Sequence, residues 1–71
     1  MTLSYRILKT GGDARIDFEG YAYAADELHE AIWLVNIELR GCYLSKRERK
    51  ESLQRIAQYE ELLSALRSAG G

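Results

Sequence analysis

One imidazole, one thiol and a run of basic side chains are the groups in this sequence best suited to chemistry. His29 is the only histidine and Cys42 the only cysteine. Together they could form a nucleophile–base pair, because an imidazole can take a thiol proton. Gly41-Cys42-Tyr43 matches no nucleophile signature, however. A general base also needs a placed partner and a cleft, and a chain of 71 residues has little room for a deep one. His29 is therefore expected to be a solvated or capping residue, and the protein is expected not to be an enzyme. Asp26, His29 and Glu30 have the i, i+3, i+4 spacing that turns ligands to one side of a helix. Acids at a helix start serve the helix dipole equally well, so no metal is expected. GxGxxG and GxxxxGK[ST] motifs are absent. Gly11-Gly12 lies between two strand-like runs rather than between a strand and a helix, so it does not read as a phosphate loop. No cofactor of any kind is expected.

The basic run is Lys46-Arg47-Glu48-Arg49-Lys50. It falls at a helix start, where the helix dipole disfavours cations. Such a local conflict could mark an anionic partner outside the chain, either an acidic protein surface or a phosphate backbone. Glu48 and Glu51 interrupt the patch, and Arg47–Glu51 and Glu51–Arg55 can pair at i, i+4, so the run reads first as a solvated, self-paired face. Nucleic-acid domains carry a larger basic footprint, so of the two partners a protein is favoured and nucleic acid is the alternative.

The elements that must position these groups are legible in the pattern. Residues 2–20 read as a β-hairpin turning at Gly11-Gly12, a pair suited to a primed two-residue turn. In that register Thr10 faces Asp13, Ile7 faces Ile16, Tyr5 faces Phe18 and Leu3 faces Gly20. Arg6 meets Asp17 on the other face, an opposite-charge cross-strand pair. A slip of one residue would break the apolar pattern, the turn and the charge pair together.

Residues 24–40 read as a helix with the stripe Ala25, Leu28, Ile32, Val35 and Leu39. Asp26 is its expected N-cap, and Gly41 its expected left-handed C-terminal cap. Ser45-Lys46-Arg47-Glu48 matches the capping box and opens a second helix over 46–68. The stripe of that helix is Leu53, Ile56, Tyr59, Leu63 and Leu66, with Leu62 alongside, and a frayed tail follows it. The expected fold is a single α+β domain of order ββαα, a two-stranded antiparallel hairpin packed on an antiparallel helical pair.

The first helix has more apolar surface than one stripe needs. Trp33 and Ile37 lie on the far side of it, and Leu34 occupies a third direction. In one reading the helix is central, covered by the hairpin on one side and the second helix on another; in the other Trp33, Leu34 and Ile37 form a self-association surface, and the two can both hold. Trp is enriched at interface hot spots. Tyr21 and Tyr23 flank Ala22 and point to one side if that stretch is extended. They read as a cover for the core end or as an aromatic contact for a partner.

Bulk numbers narrow the functional classes. The chain is 46% hydrophobic and 30% charged, with net charge -1 and no proline. That composition argues against disorder, and one cysteine excludes an internal disulfide. A core this small supplies only about 3–5 kcal/mol, which raises the weight of an oligomer. Charge is divided along the chain. Residues 1–38 hold seven acids and three bases, and residues 39–71 seven bases and four acids, so two copies can attract each other. No apolar run approaches the roughly 20 residues that span a bilayer, and Met1–Arg6 has no signal-peptide character. With an unpaired cysteine, a cytoplasmic protein without membrane contact is expected.

These features together imply a small non-enzymatic protein-binding module. It is expected to be homodimeric and to act as an adaptor, neutraliser or inhibitor of another protein, of the kind found in phages and mobile elements. Trp33, Leu34 and Ile37 would serve self-association. Lys46, Arg47, Arg49, Lys50, Tyr21 and Tyr23 would contact the partner. The alternative is a nucleic-acid-associated regulator working through the basic start of the second helix.

Overall fold

A computed structural model of the protein describes residues 3–41 and 43–70. Three strands lead into two helices: β1 (Tyr5–Thr10), β2 (Asp13–Phe18), β3 (Tyr21–Tyr23), α1 (Ala25–Gly41) and α2 (Lys46–Gly70). The strands form an antiparallel sheet of order β1-β2-β3. The β1–β2 register runs from Tyr5↔Phe18 through Arg6↔Asp17 and Ile7↔Ile16 to Thr10↔Asp13, as the hydrophobic alternation requires. Gly11 and Gly12 adopt φ of 55° and 94°, the left-handed pair of a type I′ turn. Leu3 precedes the ladder but packs on the core.

β3 corrects the two-stranded expectation. Glu19 and Gly20 adopt φ of 52° and 81°, a second turn of the same hand. Tyr21 then pairs with Phe18 and Tyr23 with Ile16. A two-residue turn at Glu19-Gly20 is hard to read because glutamate pays a steric cost at positive φ and is rare there. Alternation along the three strands places Tyr5, Ile7, Ile16, Phe18, Tyr21 and Tyr23 on one face.

That face is covered chiefly by α2, which approaches both β1 and β2. Ile16, Phe18, Leu28, Leu62, Leu63 and Leu66 are the buried cluster, with Ile7, Tyr23, Ile32 and Tyr59 packed against it. All the α2 members come from its second half. The helical pair therefore sits on the sheet by one end, and its other end projects past it. A 25-residue helix is about 37 Å long, close to the 43 Å long dimension of the molecule. This placement overturns the expectation of a central first helix. α1 lies along α2 and enters the core through Leu28 and Ile32, while its far side stays uncovered. Leu53, expected in the α2 stripe, lies on the projecting part and is exposed.

The helix ends follow capping chemistry with three corrections. Ala24, not Asp26, stands at the N-cap of α1: its carbonyl accepts the first helical bond from Leu28 N–H at 3.1 Å. Glu27 Oε1 reaches back to accept from Ala24 N–H at 2.9 Å. At α2 the capping box forms as read. Ser45 N–H donates to Glu48 Oε1 and Glu48 N–H to Ser45 Oγ, both at 3.2 Å. Gly41 belongs to α1 without a positive φ, so it is not a left-handed cap. α2 continues to Gly70, beyond the expected end at 68.

Candidate functional site

α1 turns two unlike faces outward from its axis. Leu28 and Val35 are buried, Ile32 is half-buried against the core, and Leu39 is half-buried. On the opposite side, at about 100° per residue, lie Glu30, Trp33, Leu34 and Ile37. Trp33 is 61% exposed, Leu34 48% and Ile37 45%. Single exposed apolar residues are ordinary, but a contiguous group marks an interaction surface. These three occupy adjacent positions on one helix surface. They are uncovered because they point away from the side of α1 that packs on α2 and the core.

Leu34 joins this face to the tyrosines. Tyr21, Tyr23, Glu27, Glu30, Ala31 and Leu34 line an open groove of about 210 Å³. The rings of Tyr21 and Tyr23 lie 4.6 Å apart at 52°, and Tyr23 meets Tyr59 edge-on at 6.1 Å. Tyr23 is thus part of the core wall, while Tyr21 is 52% exposed. The two readings of the pair divide between its members. The residues expected for self-association and the two tyrosines form one continuous surface.

Glu27 fixes the wall of this groove, a role that sequence reasoning did not assign to it. Besides Ala24, its carboxylate accepts from the Tyr21 hydroxyl at 2.7 Å and meets Arg15 Nη1 at 3.4 Å. The Ala24 N–H, then the Tyr21 hydroxyl, and more weakly Arg15 hold its carboxyl below the usual glutamate range. The Tyr21 phenol is correspondingly pushed up, first by its bond to Glu27 and then by that negative charge. Burial, followed by the neighbouring Tyr59, raises Tyr23. The available signal for Glu27 was its position three residues after the N-cap, the acidic half of a capping box without a hydroxyl partner.

Lys46, Arg47, Arg49 and Lys50 all lie exposed on the first turns of α2, at the projecting end. Arg47 Nε meets Glu51 at 3.5 Å, the i, i+4 pair expected. The other three have no ion-pair partner among the described residues. The connector leading into this run exposes Tyr43 completely, at 103% of its reference area. The basic run and the tyrosine groove therefore sit at opposite ends of the helical pair and do not form one site.

His29 is exposed on α1. Its Nε2 lies 3.4 Å from Arg67 Nη2. Cys42 lies outside the described residues, so the structure does not place a Cys–His pair. Asp26, His29 and Glu30 do not converge. Among the described residues no group of three His, Cys, Asp or Glu is arranged to hold a metal ion. No described helix is long and apolar enough to cross a membrane.

The chain matches no protein-family model, no curated protein and no solved structure. Function is therefore argued from the geometry of this surface.

Proposed function

We propose that this protein is a small, non-enzymatic protein-binding module of the cytoplasm that works as a homodimer. It acts by occupying the surface of another protein, as an adaptor, neutraliser or inhibitor. The observation that supports this most strongly is the exposed outer face of α1, where Trp33, Leu34 and Ile37 remain in solvent beside the tyrosine groove. Burying a large apolar side chain is worth about 1.5–3 kcal/mol. A domain with so small a core gains much from covering three of them together. The exposed basic run at the far end is then the contact for an acidic surface on a second protein.

Light scattering over a wide concentration range tests the homodimer. The wild type is expected at twice the monomer mass, with Trp33→Ala shifted toward monomer and its circular dichroism unchanged. A wild type that stays monomeric at high concentration overturns the proposal.

The exposure of Lys46, Arg49 and Lys50 also favours a second reading, a nucleic-acid-associated regulator. A dimer would present the run twice. Binding of this kind falls steeply with salt. A mobility-shift titration with DNA and RNA at about 50 mM salt decides it: no shift removes this reading.

A further inference from the structure

We infer that the partner on the outer face of α1 is a second copy of this chain running antiparallel, with its Tyr43 seated against the tyrosine groove. This arrangement rests on the homodimer proposed above and specifies its geometry. Three features of the surface point to it.

The first is charge. α1 carries Asp26 and Glu27 in its first turn and Arg40 in its last, and Glu30 lies between its start and the exposed apolar group. Asp26, Glu30 and Arg40 have no ion-pair partner among the described residues. Parallel packing would set acids against acids and Arg40 against Arg40. Antiparallel packing sets Arg40 of each copy beside Asp26 and Glu30 of the other. Exposed ion pairs add little affinity, but they fix orientation and register. Opposed helix dipoles favour the same direction.

The second is spacing. If the helices cross between Trp33 and Leu34, Trp33 of each copy stands level with Leu34 of the other across the two-fold axis, the reciprocal contact of an isologous interface. Ile37 of one copy then stands level with Glu30 of the other, and Arg40 with Glu27. α1 ends at Gly41, about 11 Å from the crossing at the helical rise, and Tyr43 follows that end in the sequence. The same distance in the opposite direction reaches Asp26, next to Glu27 in the wall of the groove lined by Tyr21, Tyr23 and Glu27.

The third is Tyr43 itself. A ring standing fully in solvent contributes nothing to the fold of its own chain. Tyrosine is well suited to an interface because it buries a large ring and keeps a polar tip. Two tyrosine rings and Leu34 give it an apolar seat of suitable chemistry, and the groove is open enough to admit it.

Disulfide trapping tests the arrangement. Glu30→Cys and Ile37→Cys are each made in a Cys42→Ser background, and the two proteins are oxidised alone and mixed. Within one chain the two sites are about 10 Å apart, beyond disulfide reach. The mixture is expected to give a covalent heterodimer, with little covalent dimer from either protein alone. Covalent dimer from Ile37→Cys alone overturns the antiparallel direction. A species of dimer mass that cross-links in none of the three samples places the contact elsewhere, for example along the β1 edge. That outcome overturns this geometry and leaves the homodimer standing. A monomer in light scattering overturns both. Tyr43→Ala in the unmodified chain is expected to raise the dissociation constant about tenfold, less than Trp33→Ala at the centre. No change in the Tyr43→Ala protein removes that residue from the interface.

Discussion

At the scale of single residues, Glu27 and Leu62 show which contacts this small chain depends on. Glu27 closes the start of α1 and anchors Tyr21 through one carboxylate. Its depressed pKa has a definite consequence for acid stability. A carboxylate held below its unfolded value stabilises the fold above that value, and the contribution fades as pH falls through the folded value. Glu27→Gln keeps an acceptor for the Ala24 N–H but cannot titrate. Urea midpoints at neutral pH and at about pH 3 are therefore expected to converge between wild type and variant on acidification. Parallel pH profiles would contradict the assigned role. Leu62, fully buried at the centre of the cluster, is the test of the core. Leu62→Ala is expected to cost about 2–5 kcal/mol, comparable with the whole stability of so small a domain. Leu53→Ala, on the projecting part of the same helix, is expected to stay within about 0.5 kcal/mol.

At the scale of elements, the two turns of the sheet use one geometry with unequal chemistry. Gly11 and Gly12 accept positive φ freely, whereas Glu19 is held at φ 52° against its preference. Glu19→Asn converts the second turn to the Asn-Gly pair preferred for this type. It is expected to stabilise the fold by about 0.5–1 kcal/mol, read as a higher urea midpoint with the slope unchanged. A lower midpoint would mean that the Glu19 side chain makes a contact outweighing the backbone strain.

The same asymmetry explains what the sequence reveals about these elements. The β1–β2 register is legible because turn, alternation and the Arg6–Asp17 pair all agree. The Ser45–Glu48 cap is legible because both its halves are present. β3 is concealed by a glutamate in the turn and by having only three residues. The N-cap at Ala24 is concealed because an alanine has no side-chain acceptor, whereas Asp26 two residues on has one. The outer face of α1 is visible as surplus apolar surface. Its exposure depends on α2, rather than α1, covering the sheet, and periodicity carries no information about that choice. Glu27 as an anchor and Tyr43 as an exposed ring follow from packing and are beyond reach of local pattern.

At the scale of the whole molecule, a sheet grips one end of a helical pair and leaves the other end projecting. The core lies under the grip, and the surplus apolar surface lies along α1 beyond it. The proposed self-association of that face would cover the exposed residues and add buried apolar surface to a small core. The single tryptophan stands at the middle of the face and reports on it directly. The most direct measurement is therefore the Trp33 emission maximum across a dilution series, followed until it ceases to change. Emission at short wavelength in concentrated protein, shifting to the red on dilution while helicity is unchanged, is the predicted result. A red maximum typical of a solvated indole at every concentration would contradict self-association through α1.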